Sequence, residues 1–128
     1  MRSIRLVRTL RYLALLGLLA SVPAVTPALA QINPFGDSSK TKLSPGDFKM
    51  VDEATQRLLA RPSLAPGAKE SWTNPATKST GTLTVKNRFQ RRGFSCVAVG
   101  YQSMARGRPP NRAGALNWCK TPKGWKIL

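Results

Sequence analysis

Histidine is absent from all 128 residues, and no Asp or Glu follows Glu70. These two absences remove most catalytic chemistry. Paired-carboxylate acid–base work and Ser-His-Asp or Cys-His nucleophilic catalysis each need groups that the C-terminal part lacks. A zinc shell is also out of reach, because two cysteines without His or nearby acids leave it incomplete. No Gly-rich phosphate loop is present and no lysine is singled out as a catalyst. The residues therefore point to a non-enzymatic protein with no metal and no cofactor.

Long apolar runs are equally scarce. The only one is Tyr12 to Val22, preceded by Arg2, Arg5, Arg8 and Arg11 and followed by a small-x-small end, Ala28-Leu29-Ala30. A basic start, a short apolar stretch and such an end make a secretory signal over residues 1–30, with Gln31 first in the mature chain. The competing reading, a permanent anchor, meets a run well short of the roughly 20 residues needed to span a bilayer. No Cys lies near the cut and no consecutive arginines precede it, so neither lipid attachment nor the twin-Arg route is indicated. The expected location is the periplasm, the outer membrane or cell surface, or the medium. No transmembrane segment remains after cleavage.

What is abundant is positive charge. Residues 31–128 hold seventeen Lys and Arg against five acids, and all eleven charged residues after Ser71 are basic. Such a field attracts anionic envelope components, glycans, lipopolysaccharide or nucleic acid, and allows peripheral membrane contact. Candidate anion-binding residues group by sequence: Arg88, Arg91 and Arg92 between two expected strands, and Arg106, Arg108 and Arg112 in an expected hairpin loop. Lys120, Lys123 and Lys126 surround the last turn. Separate solvated charges are the plainer alternative. Oligomeric state is not encoded in any of these features.

Residues 31–43 are polar and aperiodic and read as a flexible leader, ahead of one domain over 44–128. Ser44, Pro45 and Asp47 form a helix start with capping-box spacing, and Phe48, Val51, Ala54 or Thr55, Leu58 and Leu59 recur at helical period. Pro62 and Ala65-Pro66-Gly67 end it. Ser71 to Pro75 reads as a turn entry, and Gly81–Lys86, Phe94–Gln102, Ala113–Lys120 and Gly124–Leu128 as strands. The expected fold class is α+β, one N-terminal helix packed on a small antiparallel sheet of three to four strands. Trp72, Trp118 and Trp125 read first as core and second as a stacking platform for sugars or bases.

The chain has two cysteines, Cys96 and Cys119. Counting inward from each meets near Gly107, so a hairpin centred there sets them opposite one another, at a spacing a disulfide bridges. An exported chain enters an oxidising compartment where that bond persists.

Residues 43–128 resemble the seventeen-kilodalton-type surface antigen domain of bacterial envelope proteins. The resemblance rests on the Leu43-Ser44-x-x-Asp47 opening before an alanine-containing helix. It continues through Trp72, Asn74, Pro75, Thr77, Gly81 and Val85, then Cys96, then Cys119 with Gly124 and Trp125. It implies a small β-rich envelope domain without established enzymatic chemistry. Many members carry a lipid-modified Cys and a Gly-rich apolar stretch ahead of this domain. This sequence has neither, which favours a periplasmic or released form. Most of the arginines lie outside the shared pattern.

Overall fold

The computed structural model describes residues 32–36 and 42–128. The expected export signal, the cleavage point and Asp37 lie outside the described residues.

Helix α1 (Pro45–Leu59) begins where the capping residues demand it. The Ser44 hydroxyl accepts from the Asp47 amide at 3.1 Å, and the Asp47 carboxylate accepts from the Ser44 amide at 2.8 Å. The two bonds satisfy donors that a helix start leaves free. Phe48, Val51, Ala54, Thr55, Leu58 and Leu59 form its buried face, which packs against the first two strands. The helix stops at Ala60, ahead of Pro62.

Strand content departs from the expected three to four. The sheet has six antiparallel strands and curls into a half-barrel. They are β1 (Lys69–Asn74), β2 (Ser79–Arg91), β3 (Phe94–Met104), β4 (Asn111–Arg112), β5 (Leu116–Thr121) and β6 (Gly124–Ile127). Their order is β1-β2-β3-β5-β6, with β4 also paired to β3. The described residues are thus mostly sheet with a single helix, and the reading of a small sheet is corrected. Three local causes account for the difference. The segment taken as a turn entry at Ser71–Pro75 is mostly strand β1, whose Trp72 sits opposite Gly81. Strand β2 does not stop at Lys86: the register shifts between Val85 and Asn87, and pairing continues to Arg91. Such a bulge bends and twists a strand without ending it. Finally, Asn111 and Arg112 pair with Ser103 and Gln102, so part of the expected loop is the short strand β4.

Turn chemistry sets the hairpins. Arg92 and Gly93 connect β2 to β3 with φ of 50° and 79°, the positive pair that a tight two-residue hairpin turn requires. Pro122 and Lys123 connect β5 to β6 ahead of Gly124 at φ 95°. Across β3 and β5, Cys96 pairs directly with Cys119, and the two form a disulfide with Cα atoms 4.0 Å apart. By the loop-entropy model a bond closing this span contributes roughly 3 kcal/mol.

Alternation along the strands divides the sheet into two faces. Trp72, Leu83, Val85, Val97, Val99, Tyr101 and Trp118 join the helix residues in one core. Ile32 and Phe35 also pack there, with the Phe35 ring edge-on to Tyr101 at 6.4 Å between centroids. The opposite face carries Thr80, Thr82 and Thr84 of β2 and Gly100 and Gln102 of β3.

Two polar connections cross the core. The Trp118 indole donates to the Tyr101 hydroxyl at 3.0 Å, and Tyr101 lies 3.2 Å from the Thr55 hydroxyl, which donates to the Val51 carbonyl at 2.8 Å. Only one proton order satisfies all three contacts: Trp118 to Tyr101 to Thr55 to the helix backbone. Burial pushes the Tyr101 phenol above its ordinary value, although the Thr55 and Trp118 bonds oppose this. The second connection is Asp47, 1% exposed. Its other carboxylate oxygen accepts from Asn74 at 2.8 Å and Thr77 at 2.6 Å, in the β1–β2 turn. Asn74 also accepts from the Ala76 amide at 3.1 Å and so shapes that turn.

Burial alone would raise the Asp47 carboxyl, but the bonds from Thr77, Ser44 and Asn74 overcome it and hold it below its ordinary value. A depressed folded-state value stabilises the fold above about pH 4 and is lost as pH falls through it. Asp47→Asn should therefore cost about 3 kcal/mol at neutral pH and flatten the acid limb of a urea-denaturation series against pH. An unchanged acid limb would remove Asp47 from this role. Reduction of the Cys96–Cys119 bond should lower unfolding stability by roughly 3 kcal/mol, measured as a shift in the urea midpoint with and without reductant.

Candidate functional site: a cationic pocket on the sheet

The six arginines singled out by sequence do not form one patch. Arg88, Arg91 and Arg92 stand at one end of β3, and Arg106, Arg108 and Arg112 at the other. Arg91 pairs with Phe94 and Arg112 with Gln102, eight residues further along β3, which places them about 26 Å apart, while Arg88, opposite Val97, is closer. The first triad is itself divided. Arg88 faces the helix side and lines a groove with Lys120 and Trp125. Arg91 lies on the other face with its guanidinium 5.6 Å from the Phe89 ring, and donates to the Leu128 backbone oxygen at 2.6 Å. Arg92 occupies the turn. Arg106 and Arg108 are exposed beside Gly107. Both Arg88 and Arg91 belong to a strand rather than to a loop.

Arg112 has different company. It pairs in register with Gln102, which in turn faces Thr82. Beside this row lies another, Lys69–Thr84–Gly100. The side chains Lys69, Thr82, Thr84, Lys86, Gln102 and Arg112 surround a cavity of about 280 Å³. Lys86 reaches it because it is the residue at the bulge and because Gly100 has no side chain. A methyl group on Gly100 would stand 2.5 Å from Lys86 Cε, so the lysine stem occupies the space a larger residue would fill. Its stem thereby lies over β3 at Gly100, in the pocket that Lys69 of β1 and Arg112 of β4 also line.

Among the described residues, no acid lines this pocket. Among the described residues the acids are Asp47, Asp52, Glu53 and Glu70, on the helix or at the start of β1. Glu70 is bound by Arg57 at 2.9 Å and Arg61 at 2.5 Å. The Arg57 bond, resisted by burial and reinforced by Arg61, holds its carboxyl below the ordinary value. Glu53 pairs with Lys49. The pocket thus offers ammonium, guanidinium, hydroxyl and amide groups. It suits an anion and not a metal. Among the described residues, no group of three or more His, Cys, Asp or Glu could hold a metal ion, and no helix is long and apolar enough to cross a membrane.

Sequence grouping by loops missed Lys69 and Lys86. The signal for Lys86 was present in Thr80-x-Thr82-x-Thr84-x-Lys86, which at period two places all four on one face. Lys69 lacked a signal because β1 was not recognised as a strand beyond its Trp. As for the tryptophans, Trp72 and Trp118 are each 4% exposed and belong to the core. Trp125 is half-buried. Compared with family models, with curated proteins and with solved structures, the chain matches none.

Two glycines make the division of labour testable. A methyl group on Gly81 would land on the Trp72 indole nitrogen and 2.5 Å from the Gln102 backbone oxygen. Trp72 Nε1 has no hydrogen-bond partner among the described residues, so this close packing is what seats the ring. Gly81→Ala should destabilise the fold by about 2 kcal/mol. Gly100→Ala meets only a flexible lysine end and should leave the thermal midpoint within a few degrees, while displacing the Lys86 ammonium. Thermal melts of both variants, with the Lys86 side chain followed by NMR, check the contrast.

Proposed function

We propose that this chain is a non-enzymatic, exported cell-envelope protein that holds an anionic component of its surroundings on the acid-free face of its sheet. The observation that carries this reading is the separation of charge. Eleven Lys and Arg and no acid follow Ser71, whereas the described acids sit on the helix side, and Glu70 and Glu53 are already paired there. The Lys69, Lys86 and Arg112 side chains have no carboxylate partner among the described residues. An unneutralised cationic surface on rigid strands favours anion binding over an inert structural role.

The resemblance to surface antigen domains supports an envelope location, and we propose it as a relationship of fold. The pattern residues Ser44, Asp47, Asn74 and Thr77 make the helix-to-turn connection, Trp72 and Gly81 pack on each other, and Cys96 and Cys119 form the disulfide. All of these are structural. Lys69, Lys86 and Arg112 stand outside the pattern, so the anion-binding face is proposed as this protein's own addition. A disulfide fits an oxidising compartment. Action on polyanions outside the envelope is the second reading, and fractionation of the native protein separates the two.

Binding should be electrostatic and should weaken steeply with salt, because exposed charges are screened over about 8 Å at physiological ionic strength. The measurement is a titration against heparin, lipopolysaccharide and DNA at several salt concentrations. The triple variant Lys69→Gln, Lys86→Gln, Arg112→Gln should bind more weakly with a flatter salt slope, whereas Arg106→Ser with Arg108→Ser should change it less. If the wild-type protein binds none of the three at low salt, the reading is wrong.

A further inference from the structure

We infer that the Lys69–Lys86–Arg112 pocket is a discrete site for one phosphate monoester, borne on a sugar or a lipid headgroup. This rests on the anion-binding reading above and assigns its ligand chemistry. The three cations come from three different strand segments, β1, the β2 bulge and β4, and converge on one cavity. Lys69 and Arg112 pair in register with Thr84 and Gln102, and Lys86 is the unpaired residue at the β2 bulge, so all three are carried on strands rather than on a loop. Hydroxyls of Thr82 and Thr84 and the amide of Gln102 stand among them. A doubly ionised phosphoryl group presents three terminal oxygens to such donors, and Arg112 offers the planar fork suited to them. A carboxylate presents two oxygens and one charge, leaving two of the three cations unanswered.

Size and surroundings narrow the ligand further. A cavity of about 280 Å³ lies at the small end for ligand pockets, roughly 300 Å³ and upward. It accommodates a phosphoryl group with a small attached moiety. It offers little stacking surface: apart from Ala113 its side chains are cationic or polar, and Tyr101, which also lines it, is buried with its hydroxyl turned to Thr55 and Trp118. Single-stranded nucleic acid, which relies on aromatic platforms, therefore finds only its phosphates recognised. The Gly100 gap is the specific device. It admits the Lys86 stem across β3, and without it the central cation would be displaced.

The test uses the exported chain with its disulfide intact, titrated by NMR and calorimetry with glucose 1-phosphate, glucuronate and inorganic phosphate, and by flotation with phosphatidic-acid vesicles. Glucose 1-phosphate or the vesicles should bind at least tenfold more tightly than glucuronate, moving the Thr84, Gly100 and Gln102 amides. Affinity should rise as pH passes about 6, where the second phosphate proton leaves. Lys86→Gln and Gly100→Ala should each weaken binding about tenfold, with the Arg106→Ser, Arg108→Ser variant unchanged. Binding to vesicles alone places the phosphate on a lipid, and binding to glucose 1-phosphate places it on a sugar. Equal affinity for glucuronate, or full binding by Lys86→Gln, overturns the inference. If heparin binds and none of the phosphate probes does, the phosphate assignment fails and the general anion reading stands. If heparin, lipopolysaccharide and DNA also fail to bind at low salt, both fall.

Discussion

A carboxylate withdrawn from water is unfavourable unless its lone pairs are filled by donors. Asp47 meets that condition with one oxygen turned to its own helix start and the other to the β1–β2 turn. No cation takes part in these bonds. The positive end of the helix dipole and the three neutral donors supply the compensation. Because the same group closes both elements, the angle at which α1 enters the sheet and the place where β1 reverses are one decision. Once that corner is set, the buried face of α1 lies over the sheet, nearest β1 and β2, and Thr55 comes within reach of Tyr101 on β3.

The Tyr101 chain closes the arrangement from the other side. It connects β5, β3 and α1 through Trp118, Tyr101 and Thr55, at points that the packing of Val97, Val99 and Leu83 has already brought together. With Asp47 at one corner and this chain in the middle, most of the helix side of the sheet is committed to the core, apart from the groove lined by Arg88, Lys120 and Trp125. The disulfide then fixes the β3–β5 register from the opposite face. The remainder of that second face carries the pocket lined by Lys69, Lys86 and Arg112.

Much of this could be read from residues alone, for reasons that are local. The helix followed from its caps and period. The cysteine pairing followed from symmetry about Gly107. The extent of the sheet did not, because pairing is a relation between strands. Lys86 ends an alternating run as a sequence, yet a bulge carries β2 on to Arg91. KESWTN is a strand through its partner β2 and not through its own composition. The site was obscured for the same reason. Lys69, Lys86 and Arg112 are far apart along the chain and become neighbours only when β1 to β4 are laid side by side. Arginine clusters close in sequence, by contrast, were sent to opposite ends of β3.

The placement of charge also gives the molecule a direction. The described acids lie on the helix or at the start of β1, while the opposite sheet face carries Lys69, Lys86 and Arg112, so charge is distributed unevenly across the sheet. In the field of an anionic surface such a body experiences a torque as well as a pull, and turns before it touches. Encounters then begin with the sheet leading and the helix trailing, so the orientational search that slows most associations is shortened. In that pose the side turned outward would be the helix side, where Lys49, Arg57 and Arg61 are answered by Glu53 and Glu70.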